Sequence, residues 1–110
     1  MNTTSRSSIS EIEPGTRHAH HLFSVQIDKA RCGVGRDDFL DAMTAQGIGI
    51  GVHYLALTEH PYYQQTFGWR PEDTPHATRV GRRTVSLPIS AKLTDQDVTD
   101  VISAVRLVLR

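Results

Sequence analysis

The chain has 110 residues, twelve of them basic and twelve acidic, for a formal net charge of zero. That length fits one ordinary domain, and with no basic run beyond the pair Arg82-Arg83 the charge pattern argues against nucleic acid and anionic membrane as partners. The single cysteine, Cys32, rules out an internal disulfide framework.

Residues 1–10 hold four serines and two threonines but only one large apolar residue, Ile9. Such a composition buries too little surface to offset the entropy of ordering it. Residues 1–15 are therefore expected to form a disordered leader, closed by Pro14-Gly15, and residues 16–110 the folded domain. Arg6 has no apolar stretch behind it, so the leader does not read as a secretory signal.

Over residues 21–27, Phe23, Val25 and Ile27 alternate with Leu22, Ser24 and Gln26, the period of a half-buried strand. Residues 28–35 read as a loop closed by glycines. Residues 37–45 read as a helix with Gly35 at its N-cap and Asp37 and Asp38 in the positive first turn. Phe39, Leu40 and Met43 make its apolar stripe, and Gly47 suits the left-handed position beyond its end. Residues 48–54 read as a second strand, with Ile48, Ile50 and Val52 on one face and Gly49, Gly51 and His53 on the other. Two glycines on one strand face mean that another backbone or a ligand comes close there, or that a helix packs tightly over it.

The connection over residues 55–73 is rich in aromatics and too long to be structureless. A short helical turn is expected over residues 62–66, after Pro61. Thr74-Pro75 then supplies an N-cap and a first-position proline for a short helix running to about Arg82. Residues 84–89 read as a third strand, with Pro88 suited to an edge or a strand end. In the last helix Thr94 and Asp97 resemble a capping box, and Leu93 and Val98 occupy the staple positions. Val98, Val101, Ile102, Val105, Val108 and Leu109 form its stripe, which should bury Val101 and Ile102 under the sheet. Arg106 and Arg110 lie near its negative end. This segment is the longest apolar-rich one, and Asp100 and Arg106 interrupt it, so no stretch spans a bilayer. The element order predicts an α/β chain folded as an α+β two-layer sandwich, with helices packed on a sheet. A cytoplasmic location is expected.

The chemistry-bearing residues are sparse. His18, His20 and His21 cluster without a carboxylate or paired cysteines, which disfavours a zinc site; they fit a polar approach to the first strand. Cys32 has no base beside it and reads as a loop residue. Ser86 and Ser90 lack a Gly-x-Ser-x-Gly setting. Gly33-Val-Gly35 is too short for a phosphate loop. Spacing alone therefore ends at a small α/β domain with one glycine-lined strand leading to His53.

Residues 47–54 (Gly-Ile-Gly-Ile-Gly-Val-His-Tyr), His60-Pro-Tyr-Tyr63, Ser86-Leu-Pro-Ile89 and the residues 93–97 (Leu-Thr-Asp-Gln-Asp), together with His20-His-Leu-Phe23 and residues 36–40 (Arg-Asp-Asp-Phe-Leu), resemble the end of the DegT/DnrJ/StrS family of sugar aminotransferases in the same order. The resemblance runs over residues 13–110. It implies the small carboxy-terminal domain of fold type I pyridoxal-phosphate-dependent transferases, with a short, mostly antiparallel sheet and helices packed on it. A full-length member also has a large domain that carries the cofactor on a lysine, and it forms a homodimer. The reaction moves an amino group from an amino acid such as glutamate to a nucleotide-linked keto sugar, in polysaccharide or antibiotic sugar synthesis.

The resemblance assigns His53 and Tyr54 to the substrate side. Strict alternation would turn Tyr54 to the opposite face, into the core, unless the strand ends there. It assigns no catalytic residue here, because neither Lys29 nor Lys92 matches the family's Schiff-base lysine, and no pyridoxal phosphate is expected on this chain alone. Thr78 stands where the family often has glutamate. The polar start suggests a naturally short gene product, inactive alone, that binds a large-domain polypeptide or associates with itself. The alternatives are a stand-alone interaction module and one half of a split aminotransferase.

Overall fold

A computed structural model describes residues 7–9 and 11–109 of the chain. The disorder expected for residues 1–6 and residue 10 lies outside the described residues. Three strands form one antiparallel sheet: β1 (Ser7–Ile9), β2 (Phe23–Ile27) and β3 (Thr84–Leu87), in that order across the sheet. β2 is central, pairing Ser7 with Ile27 on one side and Val25 with Val85 on the other. β1 falls within the stretch assigned to the leader. Composition weighs what side chains can bury, whereas an edge strand needs only backbone N–H and C=O groups.

The helices follow local signals. α1 (Lys29–Cys32) is one turn, where a loop was expected. Asp28 Oδ1 accepts from the Ala30 N–H at 3.1 Å, and Gly33 closes the turn at φ +78°. Four residues are too few to show a helical period, so only the cap marks it. α2 (Arg36–Ala45) starts after Gly35 as expected, and Gly47 follows it at φ +79°. α3 (Pro61–Phe67) and α4 (Pro75–Arg83) each begin with proline. α5 (Asp95–Leu109) carries the expected capping box. The Asp97 N–H donates to Thr94 Oγ1 at 3.1 Å, and Asp97 Oδ2 accepts from the Thr94 N–H at 2.8 Å. The Thr94 N–H, and after it the Thr94 hydroxyl, hold the Asp97 carboxyl below the ordinary aspartate range.

Val25, Ile27 and Val85 from one sheet face meet Phe39 and Met43 of α2 and Ala104 and Leu109 of α5. That is the two-layer α/β sandwich expected from the element order. The burial expected of Ile102 is not found: it is 44% exposed. The side of α5 that faces the core runs through Val101, Ala104, Val105, Val108 and Leu109, the i, i+3, i+4, i+7 and i+8 pattern. Ala104, small enough to be passed over in a count of large apolar residues, marks its centre. Ile102 lies on the flank.

The strand expected over residues 48–54 is reduced to one rung. Gly51 N–H donates to Ser86 O at 3.2 Å, and Ser86 N–H donates to Gly51 O at 2.8 Å. The next rungs of such an antiparallel ladder would use residues 88 and 84. Pro88 has no N–H to give. The Thr84 carbonyl is already taken by Arg36 Nη1 at 3.0 Å. The same proline ends β3 at Leu87 rather than at residue 89. Among the described residues no helix is long and apolar enough to cross a membrane.

Candidate functional site

The face of the sheet opposite the core carries a row of small residues, one from each neighbouring strand segment. Ser24 of β2 stands opposite Ser86 of β3, and Ser86 stands opposite Gly51. Because side chains alternate along an extended backbone, His53 shares this face with Gly51. Its ring lies over the glycine: a Cβ at residue 51 would come within 3.0 Å of His53 Cε1. His53 Nδ1 is 2.9 Å from Ser86 Oγ, and Ser86 Oγ is 3.5 Å from Ser24 Oγ. Gly49, expected to mark close approach as well, has open space where its Cβ would be. Neither reading of the glycine face is met: what comes close to Gly51 is the side chain of His53, two residues on in the same segment.

Tyr54 does not enter the core, as strict alternation would have it. It is 73% exposed, and its ring stands edge-on to His53, 4.9 Å between centroids. The extended segment ends at His53, and the His53–Tyr54 peptide bond is cis. The structure thus puts His53 and Tyr54 side by side.

Two contacts locate this pair. Upstream is the rung between Gly51 and Ser86. Downstream, Gly81 of α4 approaches the chain so closely that a Cβ there would lie 2.9 Å from Ala56 N and 3.1 Å from Tyr54 O. Arg36, buried at the start of α2, ties the end of α4 to this frame. Its Nη1 donates to Gly81 O at 2.8 Å and to Thr84 O, while Nε pairs with Asp37 at 2.7 Å. The sequence offered no sign of either role: Arg36 is one of ten scattered arginines, and Gly81 sits inside a helix.

Beyond Tyr54 the aromatics gather on one shelf. Tyr63 and Trp69 stack with centroids 5.4 Å apart, and Phe67 stacks on Trp69 at 5.1 Å. A hydroxyl chain joins the loops of this region. Thr58 Oγ1 is 2.8 Å from Thr74 Oγ1, and buried Thr78 donates to Pro71 O at 2.8 Å. At the rim Arg82 donates twice to Glu59 Oε1 (2.9 and 2.7 Å), which raises the guanidinium above its ordinary value.

The remaining candidates do not converge. His18 and His20 are exposed, joined by a bond from the His20 N–H to His18 Nδ1 at 2.7 Å. Among the described residues no group of three His, Cys, Asp or Glu could hold a metal ion. Cys32 is buried in the core. Lys29 opens α1 and Lys92 precedes α5, and both are exposed. A lysine that condenses with a carbonyl cofactor works from a desolvated pocket or beside another cationic group, and Lys29 and Lys92 both lie on exposed surface. These residues do not fit pyridoxal phosphate.

Residues 1–106 match the DegT/DnrJ/EryC1/StrS aminotransferase family. The spore coat polysaccharide biosynthesis protein SpsC of Bacillus subtilis (strain 168) is 41% identical over 95 residues, 86% of this chain and 24% of SpsC. Among solved structures, S. venezuelae DesV in complex with a ketimine intermediate shares 28% identity at a TM-score of 0.78, over 96% of this chain and 27% of DesV. DesI, solved in the presence of its TDP-sugar product, shares the fold at a TM-score of 0.75 and 23% identity, over 96% of this chain and 26% of DesI. The chain spans about a quarter of the length of each of these proteins.

Proposed function

This chain belongs to the DegT/DnrJ/EryC1/StrS aminotransferase family, and we propose that it forms the substrate side of a nucleotide-sugar aminotransferase, with His53 and Tyr54 turned toward the sugar nucleotide. The transfer runs from an amino acid such as glutamate to a keto sugar bound for polysaccharide or antibiotic synthesis. The observation that carries this reading is the pairing of an imidazole bonded to Ser86 with an exposed phenol ring at an edge of the sheet where glycine and serine are arranged around a side chain. SpsC is named for polysaccharide biosynthesis, and DesI was solved with a TDP-sugar; both support this substrate class.

The role of these residues is to bind and orient. His53 is held by Ser86 at one nitrogen, so the other can meet a hydroxyl or phosphate oxygen. Tyr54 adds an aromatic face, and its hydroxyl can donate or accept. Pyridoxal phosphate would supply the electron sink for the transfer, held by a lysine outside these 110 residues, on the same polypeptide or on another. A cytoplasmic location goes with this reading.

Two experiments test it. The 110-residue chain mixed with pyridoxal phosphate and then borohydride should carry no reduced adduct on Lys29 or Lys92 by peptide mass mapping; a stoichiometric adduct on either overturns the split of roles. Joined with a lysine-bearing large domain of the family, the wild-type chain should support transamination of a nucleotide-linked keto sugar. His53→Ala with Tyr54→Ala should raise KM for the sugar nucleotide and leave KM for the amino donor unchanged. Equal changes in both would remove His53 and Tyr54 from the sugar side. The exposed shelf of Tyr62, Phe67 and Trp69 favours a second reading, an interaction module without catalysis, which complementation of this kind would exclude.

A further inference from the structure

Ser86 is buried, yet it carries a hydroxyl on the face of the sheet that holds His53. We infer that Ser86 is the positioning residue of His53: its hydroxyl donates to Nδ1 and so fixes the imidazole as the tautomer protonated at Nε2, presenting that N–H as a donor to an oxygen of the sugar nucleotide. The identity of that acceptor rests on the substrate-side reading above; the tautomer does not.

The direction of the bond follows from where the Ser86 proton can go. It has two neighbours. One is His53 Nδ1 at 2.9 Å, and the other is Ser24 Oγ at 3.5 Å. Hydroxyl bonds are strong near 2.7–2.8 Å and weak at the longer distance. If Nδ1 carried the proton and donated to Ser86, the Ser86 hydrogen would be left to the long contact, close to unsatisfied in a buried setting, which is costly. With Ser86 donating to Nδ1, its hydrogen is used at 2.9 Å, and Ser24, which is exposed, turns its own hydrogen to water or to Ser86 Oγ. In neutral imidazole only one nitrogen holds a proton, so Nε2 takes it. Among the described residues Nε2 has no hydrogen-bond partner, and His53 is partly exposed.

Three features hold the arrangement in place. The two bonds between Gly51 and Ser86 fix the distance from the strand to the histidine segment. Gly51 has no Cβ, and one there would come within 3.0 Å of His53 Cε1, so the glycine makes room for the ring. The Tyr54 ring packs against His53 in a T-shaped contact, 4.9 Å between centroids. The two glycines that drew attention in the sequence therefore differ in use: Gly51 makes room for a side chain of its own strand, and Gly49 does not.

Histidine tautomers are read directly from imidazole 15N shifts, with the 110-residue chain labelled at histidine and held at a pH well above the ordinary histidine range. His53 in the wild type should show one protonated nitrogen at Nε2 and one bare nitrogen at Nδ1. Ser86→Ala should lose this single pattern and give exchange-averaged shifts, and Ser86→Thr, which keeps the hydroxyl, should restore it. Gly51→Ala should disturb His53 with the hydroxyl still in place. A wild-type His53 protonated at Nδ1, or averaged between tautomers, overturns the proposal, and this measurement needs no variant to fold. An unchanged pattern in a folded Ser86→Ala also overturns it. Titrating a UDP-linked hexose into a lysine-bearing complex of the chain separates the two claims. A fixed tautomer whose Nε2 resonance ignores the sugar nucleotide leaves Ser86 as the positioning residue and removes the substrate-side reading.

Discussion

Gly81 and Arg36 hold the segment that carries His53, and each does so in a way that other residues cannot reproduce. In an exposed helix interior, replacing glycine by alanine stabilises by about 1 kcal/mol. At residue 81 the added methyl would sit 2.9 Å from Ala56 N and 3.1 Å from Tyr54 O, and both are backbone atoms that cannot swing aside. Overpacking of this kind costs about 1–3 kcal/mol, so the propensity gain is outweighed. Gly81→Ala should therefore lower the denaturant midpoint, and it should broaden His53 resonances before those of the core. Arg36 gives one guanidinium nitrogen to two carbonyls near the end of α4. Arg36→Met keeps the apolar stem but leaves those carbonyls without their charged donor, at a cost of about 1.5–3 kcal/mol. Arg36→Lys should not recover it fully, since a point charge cannot reach Gly81, Thr84 and Asp37 with one fixed fork. Matched denaturant curves for the lysine variant and wild type would refute that account.

At the level of elements, the longer helices were legible, whereas one-turn α1, edge strand β1 and the failure of the strand expected over residues 48–54 were not. α2 and α5 announce themselves because capping residues, acidic first turns and a 3.6-residue period all act within one stretch of chain. The glycine-lined segment alternates as a strand should, but alternation reports side chains and pairing depends on backbone groups far away in sequence. Here Pro88 removes a donor and Arg36 occupies an acceptor, and the ladder stops at one rung. His53 was legible as the end of that segment; its partner Ser86, 33 residues later, was visible only as a strand residue. The direction of α5 was misjudged by one flank for the reason Ala104 shows. Met43→Ala should thus cost about 2–5 kcal/mol, while Ile102→Ala should cost far less, because much of Ile102 is already in water; the order of the two denaturant midpoints checks it. The α5 cap adds a pH signature. Thr94→Ala should cost about 0.5–2 kcal/mol. Asp97 titrates below its unfolded value, so its contribution is fully present above that value, near 3.9, and is lost as pH falls through the lower, folded one. Melting curves of wild type and Asp97→Asn should therefore converge in acid and separate above it; a constant gap across pH would detach the cap from the carboxylate.

The molecule as a whole presents a closed core and, apart from it, apolar side chains left in water, on α5 (Val98, Ile102, Leu107) as well as beyond Tyr54. The sheet and the two long helices close a core around Phe39 and Met43. Leu57, Tyr62, Phe67 and Trp69 stand exposed on the shelf that follows Tyr54. The rings stack on one another rather than under a helix, so their stacking gives the shelf shape without removing it from water. Contiguous apolar surface beyond about a few hundred Å² is uncommon on a monomer and marks a contact surface. Formal charge opposes nothing, since twelve basic and twelve acidic residues cancel and net charge near zero favours association. SpsC and DesV are three to four times longer than this chain, and the large-domain partner proposed above would be received on the shelf. The 110-residue chain by itself should then associate with its own kind or bind a lysine-bearing large domain in preference. Light scattering over a concentration series should show mass rising with concentration, and Trp69 fluorescence should shift on dilution as the shelf is uncovered. Phe67→Ser with Tyr62→Ser should abolish both changes while the melting of the core stays in place, because neither side chain reaches the cluster around Phe39 and Met43. A wild-type chain that stays monomeric at high concentration and ignores a large-domain partner would mean that the shelf is an exposed surface of a self-contained module.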